Sequence, residues 1–140
     1  MDNPEISYRL GVGMMVLNKE KKVLVGQRRD AEGAWQMPQG GIDYGEDPKH
    51  AALRELREET SITTVQIIAE SKDWLSYKIP ENLSKNLWGG RFQAQKQKWF
   101  LLDFLGQDNE INIDTKHPEF IAWRWIEPHS MPELIVAFKR

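Results

Sequence analysis

The stretch from Gly40 to Ile62, GGIDYGEDPKHAALRELREETSI, sets three carboxylates on one side of a short helix. At 3.6 residues per turn Glu55, Glu58 and Glu59 fall within an arc of roughly 100°, as i,i+3 and i,i+4 neighbours whose repulsion costs a few tenths of a kcal/mol per pair. A divalent cation reverses the sign of that term and supplies a Lewis acid. Gly40 and Gly41 carry no Cβ, so their backbone N–H and C=O groups can come close to a ligand. Hard oxygen donors of this kind select Mg²⁺ or Mn²⁺ over zinc.

The residues around the cluster read as its support. Arg54 stands four positions before Glu58 and can pair with it or with Glu46 from the incoming loop. Leu53, Leu56 and the methyl of Thr60 form an apolar stripe expected to dock the helix on a sheet, while Ala51 is small enough to admit a loop or a phosphate. Asp47 is the expected N-cap and Pro48 the first helical residue, where a missing N–H leaves no bond unmade. A Glu-rich helix with interspersed Arg is by itself more often a solvated face. The spaced constraints on both sides of this one argue for chemistry.

Apolar, Val-rich runs from Leu10 to Leu17 and from Val23 to Gln27 predict two strands around a polar turn. A glycine-bearing loop is expected from Asp30 to Gly45, then the helix, a strand from Ile62 to Ile68 and another from Trp74 to Ile79. Glu81 to Gln95 reads as an excursion loop, Lys98 to Leu105 and Phe120 to Ile126 as strands, and Pro132 to Lys139 as the start of a last helix. Strands mixed with two helices predict an α/β or α+β sandwich. Trp99, Trp123 and Trp125 alternate with other residues and are expected in the core, and His50, His117 and His129 show no ligand spacing.

The 140 residues, 40% hydrophobic and 29% charged, suit one domain, 1–140, with a real core. Absence of cysteine excludes disulfides and thiolate metal sites, and the amino-terminal run resembles neither a secretory signal nor a membrane span. A cytoplasmic protein with no membrane partner is expected. The net charge of −2 gives no global field for coating DNA, so phosphate recognition must be local. The ending PELIVAFKR lacks a cap or polar tail, and a helical continuation beyond Arg140 is expected.

Gly40, Glu46, Arg54-Glu55-Leu56, Glu58-Glu59 and Ile62 together resemble the Nudix box, G-x5-E-x7-R-E-U-x-E-E-x-G-U, with Ser61 in place of the late glycine. WQMPQGG at 35–41, WLSYKIP at 74–80, QKQKWF at 95–100, PEF at 118–120 and FKR at 138–140 are similar to the bacterial RNA pyrophosphohydrolases and the dinucleoside polyphosphate hydrolases also called invasion-associated protein A. The resemblance implies a Nudix fold, an α/β/α sandwich around a mixed sheet with the box as a loop-helix-loop motif. It implies divalent cations on Glu55, Glu58 and Glu59, joined by the Gly40 carbonyl and Glu119, with Arg54 and Glu46 as structural partners. Arg28, Arg29, Tyr77, Lys98 and Lys139 would then contact phosphate or backbone, and Phe138 would stack on a base.

The implied reaction is hydrolysis of a phosphoanhydride, with Glu58 or Glu59 as base. Its expected substrate is the triphosphorylated 5′ end of RNA, its rival a dinucleotide such as diadenosine tetraphosphate. A non-catalytic Nudix-fold binding module is a third reading, against which the retained glutamates speak.

Overall fold

The computed structural model describes residues 8–30, 33–78, 94–116 and 118–128. Strands β1 (Tyr8–Leu17) and β2 (Val23–Arg28) meet as a hairpin at Leu17 and Val23. Its turn is set by Asn18, whose Oδ1 accepts from the N–H groups of Glu20 and Lys22, both at 3.0 Å, while Lys21 takes a φ of 63°. Strand β1 also runs parallel to β7 (Ala94–Phe104), from Tyr8 opposite Ala94 to Leu17 opposite Asp103. With β3 (Trp35–Gln36), β4 (Gln39–Gly41), β5 (Val65–Glu70), β6 (Leu75–Lys78) and β8 (Phe120–Ile126) they form an eight-stranded mixed sheet, β3-β2-β1-β7-β5. Off that path β4 pairs with β1, β6 with β7 and β8 with β2.

Helix α1 (Pro48–Thr60) starts where expected: the Asp47 carboxylate accepts from the N–H groups of Lys49 and His50, and Pro48 opens the first turn. It ends at Ser61, whose φ of 68° is left-handed and whose N–H donates to the Arg57 carbonyl. The helix packs on the sheet face bearing Val12, Met14, Phe100 and Leu102. Burying Leu56 there contributes roughly 2 kcal/mol. Met15, Val23, Val25, Met37 and Trp99 form a second core on the other face. Trp123 and Trp125 pack against the first.

Several expected boundaries move. The stripe that docks the helix is Ala51, Ala52, Leu56 and Thr60 together with Glu59, whereas Leu53 is 42% exposed. Ala51 lies wholly in the core and admits no ligand. The loop expected from Asp30 to Gly45 contains β3 and β4, because β1 and β2 offer them unpaired backbone. Strand β5 begins only at Val65, since the N–H groups of Thr63 and Thr64 donate to the Glu110 carboxylate at 2.8 and 3.0 Å. The expected excursion loop lies outside the described residues apart from Ala94 and Gln95, which open β7, and so does the helix expected from Pro132. Among the described residues no helix is long and apolar enough to cross a membrane.

Candidate functional site

Strand β4 and helix α1 meet at Gly40 and Glu55. A Cβ on Gly40 would overlap the Glu55 carboxyl group, so glycine is what allows the helix to lie this close. Gly40 sits opposite Val12, between the Ile42 N–H to Leu10 C=O bond and the Met14 N–H to Pro38 C=O bond, which keeps its backbone in the ladder. One residue earlier, the Gln39 backbone favours the ionised form of Glu59.

Burial separates the three helix carboxylates. Glu59 is 6% exposed, and its Oε2 is buried without a hydrogen-bond partner. Its carboxyl is pushed up to about 9, first by burial and then by the charges of Glu55 and Glu119. Glu55 is also raised by burial, against the opposing pull of Arg54. Glu58 stays half exposed.

Arg54 ties the cluster to its approach loop. Nε and Nη2 donate to the two oxygens of Glu46 at 2.8 and 2.9 Å, Nη2 to the Gly41 carbonyl at 3.0 Å, and Nη1 to Glu55 at 2.9 Å and Glu58 at 3.2 Å. Glu46 also accepts from the Asp43 N–H at 3.0 Å, and its Oε2 lies 2.7 Å from His50 Nδ1. Arg54 foremost, then the Asp43 N–H, holds the Glu46 carboxyl down at about 2.

Glu119 reaches the helix from a loop that is fastened at several points. The Asn112 N–H donates to the Thr60 carbonyl at 2.9 Å, Ser61 Oγ to the Asn112 carbonyl at 2.9 Å, and the Arg29 N–H to the Glu119 carbonyl at 3.0 Å. Glu55, Glu58, Glu59 and Glu119 thereby line one cavity of about 360 Å³, with Arg57, Thr115 and Lys116 completing its wall.

The donor types are those a divalent cation takes: four carboxylates line one cavity, and a buried Glu59 oxygen has no partner. The carboxylates stand apart from one another, and among the described residues no three acidic or histidine side chains are gathered closely enough to hold an ion. Arg54 engages Glu55 and Glu58 through the same nitrogen.

The candidate substrate contacts scatter more. Arg28 is engaged by Asp30 through two bonds of 2.9 and 2.6 Å, and Arg29 is exposed beside Glu119. Lys98 lies opposite Val12, which on its other side faces Gly40, so the three share one row across the sheet. Its Nζ donates to the Lys72 carbonyl at 3.3 Å and lies 3.8 Å from Glu70. Tyr77 belongs to β6, opposite Gln95. Phe138 and Lys139 lie outside the described residues. Sequence reasoning missed His50, whose i+4 spacing from Glu46 was the available signal, and Arg57, Thr115 and Lys116, for which spacing offers none.

The profile of the NUDIX domain matches residues 7–140. The chain is 53% identical over 135 residues to the RNA pyrophosphohydrolase of Rhodospirillum rubrum, covering 96% of this chain and 82% of that protein. It is 54% identical over 135 residues to that of Pelagibacter ubique, covering 96% and 85%. Among solved structures, the E. coli dihydroneopterin triphosphate pyrophosphohydrolase superposes with a TM-score of 0.71 at 23% identity, over 95% of this chain and 89% of that one. A C. elegans Ap4A hydrolase binary complex gives 0.66 at 22% identity, over 94% and 87%. These two likenesses concern the fold.

Proposed function

The chain belongs to the Nudix family, and from that premise we propose that it removes pyrophosphate from the triphosphorylated 5′ end of RNA. Nudix hydrolases work with divalent metal ions, and Mg²⁺ or Mn²⁺ is the cation proposed here. The observation that carries the reading is the cavity in which Glu55, Glu58, Glu59 and Glu119 face one space while the buried Glu59 Oε2 has no partner.

The cation, when bound by those carboxylates with the Gly40 carbonyl, would neutralise phosphate oxygens and acidify an attacking water. Arg54, anchored on Glu46 and the Gly41 carbonyl, fixes where Glu55 and Glu58 stand. One of Glu58 and Glu59 takes the proton from the water as it attacks. Burial and the neighbouring charges push the Glu59 carboxyl up to about 9, and a positive charge in the cavity would favour its ionised form. Arg29 and Lys98, with Arg28, Tyr77, Phe138 and Lys139, are the proposed contacts to the RNA. Lys98 is two strands from Gly40, a lateral distance of about 10 Å, within reach of a polyphosphate chain.

The test is pyrophosphate release in Mg²⁺ or Mn²⁺ from triphosphorylated RNA, diadenosine tetraphosphate and free nucleoside triphosphates, assayed side by side. Pyrophosphate and 5′-monophosphorylated RNA are expected. Cleavage of the dinucleotide with the RNA left intact would replace the substrate assignment, and inertness toward all three would leave a binding module.

A further inference from the structure

We propose that Arg57 and Lys116 are substrate-binding residues, both contacting phosphate oxygens of the polyphosphate that enters the acidic cavity. The inference deepens the reading of that cavity as the phosphoanhydride site and rests on it. Both residues line the cavity with Glu55, Glu58, Glu59 and Glu119, and both are exposed, so an entering ligand meets them at the surface.

Their lack of partners sets them apart. Among the described residues neither side chain makes a hydrogen bond or an ion pair, although four carboxylates line the same cavity. Arg54, three residues before Arg57, engages Glu46, Glu55 and Glu58, while Arg28 stands beside Asp30 and Lys98 beside Glu70. Glu55 and Glu58 thus draw their counter-ion from Arg54, and Arg57 and Lys116 are left for an anion from outside.

Ser61 ties together the two elements that carry these cations. Its N–H donates to the Arg57 carbonyl at 2.8 Å at the end of α1, and its Oγ donates to the Asn112 carbonyl at 2.9 Å. Asn112 Oδ1 accepts in turn from the Asp114 N–H at 2.9 Å, two residues before Lys116. The cations therefore enter the cavity wall as a pair.

Charge explains what the pair contributes. With all six groups ionised, the four carboxylates outweigh the two cations, and one divalent ion cancels the excess. Without Arg57 and Lys116 the same wall would still repel a polyphosphate with that ion bound. Guanidinium and ammonium groups hold phosphate oxygens by charge-assisted hydrogen bonds.

The experiment compares wild type, Arg57→Gln, Lys116→Gln and the double variant in the full chain with Mg²⁺. It reads KM and kcat on triphosphorylated RNA, calorimetric binding of inorganic pyrophosphate at low and high salt, Mg²⁺ affinity and melting temperature. Each single variant should weaken pyrophosphate binding and raise KM roughly fivefold, and the double variant roughly twentyfold. Melting temperature should hold because both groups are exposed, and Mg²⁺ affinity should hold or rise because a competing positive charge is gone. Added salt should weaken pyrophosphate binding more in the wild type than in the double variant. Wild-type pyrophosphate affinity in the double variant would overturn the assignment, and so would a parallel loss of Mg²⁺ affinity, the mark of general damage to the site. If the wild type releases nothing from RNA, the proposed function fails separately. Pyrophosphate titration then still decides: weaker binding in the double variant upholds the contacts, and equal binding or none in the wild type removes them.

Discussion

Arg54 grips Glu46 with two hydrogen bonds, Nε to Oε2 at 2.8 Å and Nη2 to Oε1 at 2.9 Å, across the loop that enters α1. Only a guanidinium offers both donors in that fork while a third nitrogen reaches Glu55 and Glu58. The Glu46 carboxyl, ordinarily near 4.5, is held down at about 2. Its folded pKa is depressed, so its stabilising contribution is complete above the ordinary value and is lost as pH falls toward about 2. Glu46→Gln should unfold at lower urea than wild type at pH 6, and the gap should narrow between pH 4.5 and pH 3. A gap that does not change with pH would show that the pair adds nothing through ionisation. Turnover should fall about tenfold, as when a supporting residue behind a metal ligand is lost.

Glu59 behaves in the opposite sense. Its carboxyl is pushed up to about 9, so the folded chain favours the protonated form and the metal-free protein loses stability as pH rises from the ordinary carboxylate range through about 9. Glu59→Gln keeps the shape and removes the proton equilibrium. In the presence of a chelator its melting temperature at pH 8 should exceed that of wild type by about 5 °C, with little difference at pH 5. Turnover should drop by roughly a thousandfold. Added Mg²⁺ should raise the wild-type melting temperature by mass action and raise the variant's less. Equal melting temperatures at pH 8 would contradict the buried acid.

What could be read from the chain beforehand was local. Asp47 and Pro48 cap α1 through bonds made within three residues, and the 3.6-residue period alone puts Glu55, Glu58 and Glu59 together. The helix's docking face was legible at Leu56 and Thr60 but not at Leu53, because the rest of the face packs where Gly40 brings β4 against the helix. That residue lets β4 approach, and the approach buries Ala51, Ala52 and Glu59 while Leu53 is left in solvent. Hydropathy favours Leu53, and a contact fifteen residues away in sequence overrules it. Strand β4 is equally hidden, since three residues of Gln-Gly-Gly carry no strand propensity and pair only because β1 lies beside them. Thr115 joins the cavity through ties between the 112 region and the end of the helix, which no spacing rule contains.

Ser61 stands where the Nudix box has glycine, and its φ of 68° is the left-handed conformation that glycine adopts freely. The strain of a side chain there, about 1 kcal/mol, is offset by the bond from Ser61 Oγ to the Asn112 carbonyl at 2.9 Å, worth about the same. Ser61→Gly exchanges one for the other and should move the melting temperature by no more than about 3 °C, with activity retained. Ser61→Ala keeps the strain and loses the bond, so it should be less stable than either by about 1 kcal/mol. Thermal denaturation of the three proteins ranks them, and an alanine variant as stable as wild type would remove the bond from the account.

Gly40 tests whether the spacing between β4 and α1 matters to the chemistry. Its φ is not positive, so alanine imposes no backbone strain, and the one obstacle is the Glu55 carboxyl that the new methyl would strike. Glu55 cannot simply swing aside, because Arg54 Nη1 holds its Oε1 at 2.9 Å. Gly40→Ala should therefore displace a proposed metal ligand by about an ångström and cut turnover roughly a hundredfold, with weaker Mg²⁺ dependence. The shorter acid in Gly40→Ala/Glu55→Asp leaves room for the methyl, so the double variant should melt higher than Gly40→Ala alone and regain part of its Mg²⁺ affinity. Calorimetric Mg²⁺ titration and thermal denaturation of the single and double variants read both effects. A double variant no better than Gly40→Ala in either measurement would mean that the methyl acts elsewhere than on Glu55.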